Sequence, residues 1–277
     1  MSAHAATLAE FLAEHGQVLV ITGAGCSTGS GIGDYRDAQG RWKHAQPVMA
    51  QDFLREPAAR RRYWARSMRG WPAFAQARPN PAHAALQRLE ERGLLHGVIT
   101  QNVDGLHQLA GHRQVIELHG NLRWVVCMAC GERVERAHLQ EWLVRHNPQV
   151  MERIAVPAPD GDAHLAGDGD PYADVQVPMC RSCGGVLKPD VVFFGESVPL
   201  PRVAQARDWV AGANALLVVG SSLMVYSSFR FVRQAYERAL PLAVLNRGKT
   251  RADGWWHHKI EADCGEVLTQ VAARVAA

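Results

Sequence analysis

Two pairs of closely spaced cysteines constrain the fold of this chain more than any other feature of its sequence. The pairs are Cys127-Met-Ala-Cys130 and Cys180-Arg-Ser-Cys183, and residues 131–179 separate them. Two such pairs can place four thiolates tetrahedrally around Zn²⁺, and a site with four protein ligands keeps no open position for chemistry. Because the N-terminus lacks the basic start and apolar block of a secretory signal, we expect metal binding rather than disulfides. The sequence therefore predicts one structural zinc ion held by these four cysteines.

Short apolar runs alternate with helical patterns along much of the remaining chain. The runs that we interpret as strands are residues 18–22, 97–100, 215–220 and 242–246, and the helical segments are residues 1–16, 81–92, 203–211 and 228–239. This alternation predicts an α/β fold with a doubly wound, Rossmann-like parallel sheet. Ligands of such sheets bind where the strands end, which is where Gly23, Gln101, Gly220 and Asn246 fall.

Two segments interrupt the alternation and are predicted to form a smaller inserted module. Residues 41–82 are rich in Arg and Trp and are interpreted as a helical insertion of short helices, and residues 123–184 form the zinc-binding part. Within the second segment, the Asp-, Gly- and Pro-rich residues 157–174 are expected to form a mobile loop. The predicted Rossmann-like domain then consists of residues 1–40, 83–122 and 185–277.

Composition limits the classes of partner. The 277 residues carry a formal net charge of only +3, which does not favour a nucleic-acid or anionic-membrane partner. No apolar run approaches the roughly 20 residues that a membrane span needs. We therefore expect a soluble, cytoplasmic protein, and the sequence leaves its oligomeric state open.

Two loops and one histidine carry groups suited to chemistry on a nucleotide. The loop at residues 23–31 reads Gly-Ala-Gly-Cys-Ser-Thr-Gly-Ser-Gly, and its glycines would let the backbone approach a pyrophosphate closely. Its spacing is not the GxGxxG fingerprint, and an ordinary tight turn explains it equally well. Asn102 and Asp104 follow a strand and can hold an amide and hydroxyls, although Asp104 could instead cap the next helix. His119 precedes a glycine and is a candidate general base, because the pKa of histidine lies near neutrality.

The order of these motifs resembles the sirtuin family over nearly the whole chain. The matching segments are Gly23-Ala24-Gly25, Ser27, Ser30-Gly31-Ile32, Asp34-Tyr35-Arg36, residues 100–104, His119-Gly120, the two cysteine pairs, and residues 191–196, 220–223 and 245–246. The closer resemblance is to class II sirtuins, the group that includes mitochondrial sirtuin 4, through residues 62–66, 70–72 and 263–266. Gly33, Tyr35 and Ser227 depart from the common pattern, which bears on substrate preference and loop stiffness.

The resemblance implies an NAD-dependent protein-lysine deacylase. Such enzymes cleave the bond between nicotinamide and ribose in NAD and transfer the acyl group of an acyl-lysine protein or peptide to ADP-ribose. The resemblance implies that the catalytic residues are His119, Asn102 and Asp104, with His119 as the general base. The implied cofactor-binding residues are Gly23, Ala24, Gly25, Ser27, Tyr35, Arg36, Gln101, Asn102, Val103, Asp104, Gly220, Ser221, Ser222, Asn246, Arg247, Gly248 and Cys264. The implied substrate-binding residues are Val192, Phe194, Gly195, Glu196, Leu223 and Val225.

Other interpretations stay open at this point. Class II resemblance also fits a protein mono-ADP-ribosyltransferase, which uses NAD but modifies protein directly. A zinc module that binds nucleic acid is disfavoured because no basic helix surrounds the cysteine pairs, and an NAD sensor without turnover is disfavoured by His119. Tyr63 and Arg66, three residues apart, resemble the pair with which class III sirtuins receive acidic acyl groups, so they are a candidate carboxylate receptor. The plainer explanation is that Arg66 is a solvated arginine.

Overall fold

The computed structural model describes residues 1–275 except 36, 38, 42, 44–47, 158–160 and 166–170, and the chain divides into two compact units. Unit 1 consists of Met1–Lys43, Arg78–Leu118 and Val198–Ala277, and unit 2 of His44–Ala77 and His119–Ser197. The two units differ in architecture, as their elements show.

The secondary structure follows the chain in this order. The helices are α1 (Ala3–His15), α2 (Ala50–Arg55), α3 (Pro57–Gln76), α4 (Pro81–Glu91), α5 (Leu106–Leu109), α6 (Arg136–His146), α7 (Pro148–Met151), α8 (Leu200–Gly212), α9 (Tyr226–Glu237) and α10 (Cys264–Val275). The strands are β1 (Val18–Thr22), β2 (Leu95–Thr100), β3 (Val115–Glu117), β4 (Gly120–Cys127), β5 (Arg133–Glu135), β6 (Ala155–Pro157), β7 (Ala163–Leu165), β8 (Leu187–Val191), β9 (Ala215–Val219), β10 (Leu242–Leu245) and β11 (His258–Ile260). Short 3₁₀ turns occupy Ala24–Cys26 and Thr28–Ser30.

Unit 1 is built on a six-stranded parallel sheet, which confirms the predicted doubly wound fold. The strand order is β11-β10-β9-β1-β2-β3. The chain leaves β1 towards β2 on one side and leaves β9 towards β10 on the other, so the topological switch point lies between β1 and β9. Ligands of open parallel sheets bind outside the carboxyl ends of the strands at this point.

Local sequence explains why the flanking helices of unit 1 form where they do. The side chain of Asn80 accepts hydrogen bonds from the backbone N–H groups of Ala82 (2.8 Å) and His83 (3.4 Å), and Pro81 occupies the first helical position, so both favour the start of α4. Apolar side chains from α1, α4 and α10 then pack with the sheet into one buried core, which includes Leu8, Leu12, Leu86, Leu89, Leu268, Val20 and Leu217.

Unit 2 combines helices with small antiparallel sheets. Strands β5, β4 and β8 form one sheet, and β6 pairs with β7. Its core is centred on Phe53, Trp64 and Met68 from α2 and α3, and on Val125 and Leu143. No helix within the described residues is both long and apolar enough to cross a bilayer.

The structure differs from the sequence interpretation in three places. The unit boundaries extend unit 2 to residues 119–122 and 185–197, because these residues contribute β8 and the start of β4, which pair with each other. The insertion around residues 41–82 contains a 20-residue helix, α3, rather than only short helices. Within the segment expected to be a loop, residues 163–165 form β7, because they pair with residues 155–157.

Candidate active site and zinc centre

The four predicted zinc ligands lie together in unit 2. Their sulfur atoms all lie within 4.8 Å of one another, with Sγ–Sγ distances of 3.5 Å for Cys127–Cys183 and 3.7 Å for Cys130–Cys180. A tetrahedral zinc site with Zn–S bonds of about 2.3 Å requires sulfur–sulfur separations of about 3.8 Å. The donor set and its spacing therefore fit one structural zinc ion.

Backbone hydrogen bonds shape both halves of the zinc centre in the same way. Gly131 N–H donates to Cys127 O (3.0 Å), and Gly184 N–H donates to Cys180 O (2.9 Å), so each cysteine pair is closed by a turn that ends in glycine. Backbone N–H groups, that of Cys130 foremost, lower the pKa of the Cys127 thiol to about 6.

The Cys180 thiol is perturbed in the opposite direction. It donates to Glu132 Oε2 at 3.0 Å, and this bond raises the pKa of Cys180 to about 12. A coordinating metal deprotonates its thiol ligands outright, so zinc binding would remove that proton.

In unit 1, all six strands of the sheet end at one level. The last residues of the strands are in register across the sheet: Glu117 with Thr100, Thr100 with Thr22, Thr22 with Val219, Val219 with Leu245, and Leu245 with Ile260. The residues that follow β1, β2, β9 and β10 are Gly23, Gln101, Gly220 and Asn246. The sequence predicted that ligands bind near these four residues. The register places all four along the edge of the sheet where its strands end.

Glycines allow the β1 and β9 loops to touch at the switch point. A Cβ atom on Gly25 would lie 2.9 Å from the Cα atom of Gly220, and one on Gly23 would lie 2.7 Å from the Cβ atom of Ser221. Gly25 N–H donates to Gly220 O at 2.9 Å. The close approach of the protein's own backbone thus requires these glycines, which is a packing reason in addition to any phosphate-binding role.

A buried hydrogen-bond network joins the glycine loop to the residues that follow β2. Ser27 Oγ donates to Asp104 Oδ2 (2.7 Å), and Asn102 Nδ2 donates to Gly23 O and to Ser27 Oγ, both at 3.0 Å. The other Asp104 oxygen accepts from Leu106 N–H at 2.9 Å, so the carboxylate also supports the start of α5. Burial raises the pKa of Asp104, while the hydrogen bonds from Leu106 and Ser27 oppose that shift.

A second network joins β2 to the loop after β9. Gln101 Nε2 donates to Ser221 Oγ at 2.7 Å, and Ser228 Oγ donates to Gln101 Oε1 at 2.8 Å. Ser221 Oγ also accepts from Leu223 N–H at 3.2 Å. Leu223 has a φ of 57°, which costs a non-glycine residue free energy. Ser221 therefore helps to hold Leu223 in its strained backbone conformation.

The remaining predicted cofactor residues of unit 1 lie in three places. Ala24 is in the first 3₁₀ turn, Val103 is half-buried between Asn102 and Asp104, and Ser222 O accepts from Arg251 N–H at 2.8 Å. After β10, the buried Asn246 donates to Arg247 O at 3.0 Å, and Gly248 has a φ of 90°. The buried Cys264 starts α10.

The last two predicted cofactor residues follow the glycine loop. Tyr35 O accepts from Lys43 N–H at 2.9 Å, and Arg36 lies outside the described residues.

The predicted general base lies in unit 2. His119 is half-buried, and its carbonyl oxygen accepts from Val192 N–H at 2.8 Å. Gly120, which follows it, has a φ of 84°, and a Cβ atom there would lie 2.1 Å from Asp190 O. Only glycine fits at residue 120 where β4 pairs with Val191, so the glycine of the His-Gly motif has a structural reason of its own.

The predicted substrate residues of unit 2 include one with a clear structural role. Glu196 Oε2 accepts from Phe193 N–H at 2.7 Å and pairs with the buried Lys188 Nζ at 3.0 Å. Phe194 O accepts from Ala50 N–H at 2.9 Å, and Gly195 next to it is exposed with a φ of 86°. Glu196 thus holds a turn and neutralises a buried ammonium group.

Arg66 is likewise engaged within unit 2. Its Nε atom lies 3.3 Å from Asp162 Oδ2 and 3.2 Å from Ala163 O. The side chains of Arg66 and Asp162 are only 11% and 4% exposed, so Arg66 is not the solvated arginine of the plainer explanation. Its Nε atom is therefore already bound to Asp162 and Ala163.

Sequence reasoning missed a buried cluster of histidines in unit 1. Donor atoms of Cys26, His83 and His107 lie within 4.8 Å of one another, and His112 packs against His107 with ring centroids 4.9 Å apart. Burial lowers the pKa of His83 to about 4 and that of His107 well below its usual value. The signal was present as histidines in the predicted helix α4 and after the Asp104 loop.

The hydrogen bonds of this cluster do not suit a metal ion. Asn80 N–H donates to His83 Nδ1 at 3.3 Å, so the proton of the neutral ring sits on Nε2 and leaves no lone pair there for a metal. Burial, with Cys264 and Asp104 nearby, raises the pKa of Cys26 well above its usual value. The cluster is therefore a group of buried neutral histidines beside an inert thiol.

Comparison with known proteins identifies the family. The Sir2 family model matches residues 23–227, and the chain belongs to this family. It is 54% identical over 262 residues to "NAD-dependent protein deacetylase 2" of Bradyrhizobium diazoefficiens, covering 95% of both chains. It is also 54% identical to an NAD-dependent protein deacetylase of Xanthomonas campestris pv. campestris (strain 8004), covering 94% of this chain and 88% of the relative.

Solved structures of Sir2 proteins share the fold. One, which holds a deacetylated p53 peptide and 3′-O-acetyl ADP-ribose, matches with a TM-score of 0.77 and 31% identity over 97% of each chain. A Sir2 homologue in complex with NAD matches with a TM-score of 0.73 and 28% identity, covering 98% of this chain and 93% of that one. These likenesses extend over both units of the chain.

Proposed function

We propose that this chain is an NAD-dependent protein-lysine deacylase in which His119 is the general base. The observation that carries the proposal is the hydrogen-bonded set of Ser27, Asn102 and Asp104 at the topological switch point of unit 1. Carboxylate, amide and hydroxyl groups that are already held in position by the protein suit the hydroxyls and the amide of a dinucleotide. The reaction transfers the acyl group from lysine to ADP-ribose and releases nicotinamide.

Bound NAD supplies the electrophilic ribose carbon once nicotinamide leaves. The glycine loop and the hydroxyls after β9 bind its phosphates, since backbone N–H groups and hydroxyls at strand ends favour anions. The residues assigned to this role are Gly23, Ala24, Gly25, Ser27, Gly220, Ser221 and Ser222. The residues after β10, with Cys264, bind the adenosine end, and Gln101, Asn102, Val103 and Asp104 orient the ribose and the nicotinamide amide. Tyr35 and Arg36 are assigned to the cofactor from the motif alone.

As nicotinamide leaves, the carbonyl oxygen of the acyl-lysine bonds to the ribose C1′ carbon. His119 takes a proton from a ribose hydroxyl, which then attacks the acyl carbon. A neutral imidazole carries one ring nitrogen that can accept this proton. The bond between the acyl carbon and the lysine nitrogen breaks, and one water is consumed as free lysine and O-acyl-ADP-ribose form.

In unit 1 the peptide is assigned to Leu223 and Val225, and in unit 2 to Val192, Phe194, Gly195 and Glu196. Extended peptides add to exposed backbone by main-chain hydrogen bonds, and the half-buried Val192 and Phe194 offer apolar surface for the lysine stem.

The zinc ion in this proposal is structural, because four protein thiolates leave it no position for substrate. We place the enzyme in the cytoplasm, since four reduced thiols that bind metal suit a reducing compartment. Its partners are acyl-lysine proteins or peptides.

The test is a mass-spectrometric product assay with NAD and an acetyl-lysine peptide. The expected products are the free lysine peptide, nicotinamide and O-acetyl-ADP-ribose in equal amounts. Adenine-labelled NAD in the same reaction tests the transferase alternative, which would place label on protein and leave the acetyl group on lysine. Labelled protein without deacylated peptide would overturn the deacylase assignment.

A further inference from the structure

Three guanidinium groups surround one exposed aromatic ring at the start of α9. The Cζ atoms of Arg230, Arg233 and Arg251 lie 5.6, 5.7 and 5.6 Å from the ring centroid of Tyr226. Tyr226 is 45% exposed. We call these four residues the arginine–tyrosine patch. Arginine stacks on aromatic faces, but three cations converging on one ring repel one another.

A column of stacked aromatic rings supports one arginine of the patch. Arg251 lies 4.6 Å from the ring of Phe229, and Trp255 stacks on Phe229 (5.3 Å, 28°) and on Tyr236 (4.5 Å, 15°). The column also gives Trp255 a role that its sequence did not suggest. Because stacked rings limit the freedom of a guanidinium group that lies on them, Arg251 is partly preorganised for a ligand.

The patch carries uncompensated positive charge. Arg233 pairs with Glu237 at 3.4 Å, and both side chains are about half exposed or more, so this pair contributes little. Within the part of the chain that the structure describes, neither Arg230 nor Arg251 has a carboxylate partner within 4.0 Å. An anionic partner would relieve the repulsion among the three cations, and it would meet planar forks suited to carboxylates.

The patch is continuous with the backbone segment assigned to the substrate peptide. Arg251 N–H donates to Ser222 O (2.8 Å), and Arg251 Nη1 donates to Met224 O (3.2 Å). Val225 immediately precedes α9, and Tyr226 is the first residue of that helix. A polypeptide lying along residues 223–225 would therefore reach the patch within a few residues of its acyl-lysine.

We propose that the arginine–tyrosine patch binds acidic side chains of the substrate polypeptide close to the acyl-lysine, and so selects acidic sequences. The inference rests on the proposed function and adds to it a substrate class. Carboxylates of Asp or Glu form charge-assisted hydrogen bonds with the guanidinium groups, and the exposed ring of Tyr226 supplies apolar surface for their stems.

The test compares acetyl-lysine peptides that are identical except for the residues on either side of the lysine, which are Glu, Gln or Lys. Wild type is expected to favour the Glu peptide over the Gln peptide by about tenfold in kcat/KM, mostly through KM, because each exposed ion pair contributes modestly. The preference should fall as salt is raised. In Arg230→Gln and Arg233→Glu, the ratio of kcat/KM for the Glu and Gln peptides is expected to approach one.

A matched control removes a charge elsewhere. Arg274→Gln changes an exposed arginine on α10, and it should keep the wild-type preference. Wild type that deacylates all three peptides with the same kcat/KM, or an unchanged preference in both patch variants, would overturn the inference while leaving the deacylase intact. No turnover of any peptide would instead count against the proposed function. If a single-stranded oligonucleotide bound more tightly than the Glu peptide, the patch would be assigned to nucleic acid, and the inference of an acidic substrate would be overturned.

Discussion

The two units hold their functional residues by different physical means. In unit 1, the candidate cofactor residues follow strands that are buried on both faces, and they are joined by short hydrogen bonds such as Ser27–Asp104 at 2.7 Å. In unit 2, the larger sheet has only three strands. Two cysteines at the C-terminal end of β4 and just after it lie close to two cysteines in the loop before β8. Unit 1 relies on the larger core, whereas unit 2 joins a smaller core to four thiols that fit one zinc ion.

This difference predicts where each unit is vulnerable. A large apolar core tolerates the loss of one polar contact, because the surrounding strands and helices remain packed. A small module whose strands meet at a metal loses its folding free energy when the metal leaves.

The largest effect is expected from removing a zinc ligand. Cys127→Ser should release the ion and unfold unit 2, since structural zinc contributes about 10–16 kcal/mol of apparent binding free energy. Unit 1 should keep its protected core. Metal analysis should give one zinc per chain in wild type and none in the variant, and hydrogen exchange should show loss of protection in β4, β5 and β8 but not in β1, β2 and β9.

The control for this change lies in the other cysteine pair. Arg181→Gln alters an exposed residue between two ligands and should retain zinc and activity. A fully active wild type without metal would contradict the structural role of zinc, and equal loss of protection in both units would contradict the contrast between them.

A smaller effect is expected from His119→Ala, which removes chemistry from unit 2 without removing structure. Loss of a general base typically costs about 10²–10⁴-fold in rate, so deacylation should nearly vanish. NAD binding, measured by calorimetry, should persist, because the cofactor residues of unit 1 are unchanged. Turnover close to that of wild type would exclude His119 as the base, and loss of zinc would show that the change had disturbed the module.

Acid should destabilise unit 1 through its buried histidines. The folded-state pKa of His83 is about 4, below the ordinary value of 6.5, so the unfolded chain binds more protons between these two pH values. The stability that neutral His83 contributes is present above about pH 6.5 and is lost as the pH falls towards 4, up to about 3 kcal/mol for this residue. Denaturant unfolding across this range should show the decline.

His83→Gln should flatten that decline, whatever its effect on stability at neutral pH. The same substitution at the exposed His4 should leave the slope unchanged. An identical slope in wild type and His83→Gln would mean that other groups govern the acid response.

The sequence predicted the elements with strong local signals and missed those fixed by tertiary pairing. Residues 18–22 form a strand with the predicted bounds, because a continuous apolar run next to glycines has few alternatives. The strands β3 and β11, three residues each, carry no such signal and exist because they pair with neighbours at the sheet edges. The hairpin of β6 and β7 is hidden for the same reason within a polar segment.

The candidate site shows a similar division. The order of the motifs predicted many of the candidate residues, including Asn102, Asp104 and the four cysteines. It could not show that Glu196 neutralises a buried lysine, that Arg66 pairs with Asp162, or that glycines at the switch point pack against each other. Those facts depend on residues distant in sequence, and no local pattern encodes them.

The smallest effect is expected from Ser27→Ala, which removes one link of the network in unit 1. Ser27 Oγ donates to Asp104 and accepts from Asn102, so the change leaves a buried carboxylate and a buried amide each short of one partner. A lost buried hydrogen bond costs about 1–3 kcal/mol, and the Ser27 bond lowers the pKa of Asp104, so that pKa should rise in the variant. We expect unit 1 to remain folded, the KM for NAD to increase about tenfold, and zinc content to stay unchanged.

Thr28→Ala is the control, because it removes only an exposed hydroxyl that donates to Gly25 O at 3.1 Å, and it should have little effect. If Ser27→Ala instead unfolded unit 1 as completely as Cys127→Ser unfolds unit 2, the parallel sheet would depend on its polar network as strongly as the zinc module depends on its ion, and the contrast between the units would fail.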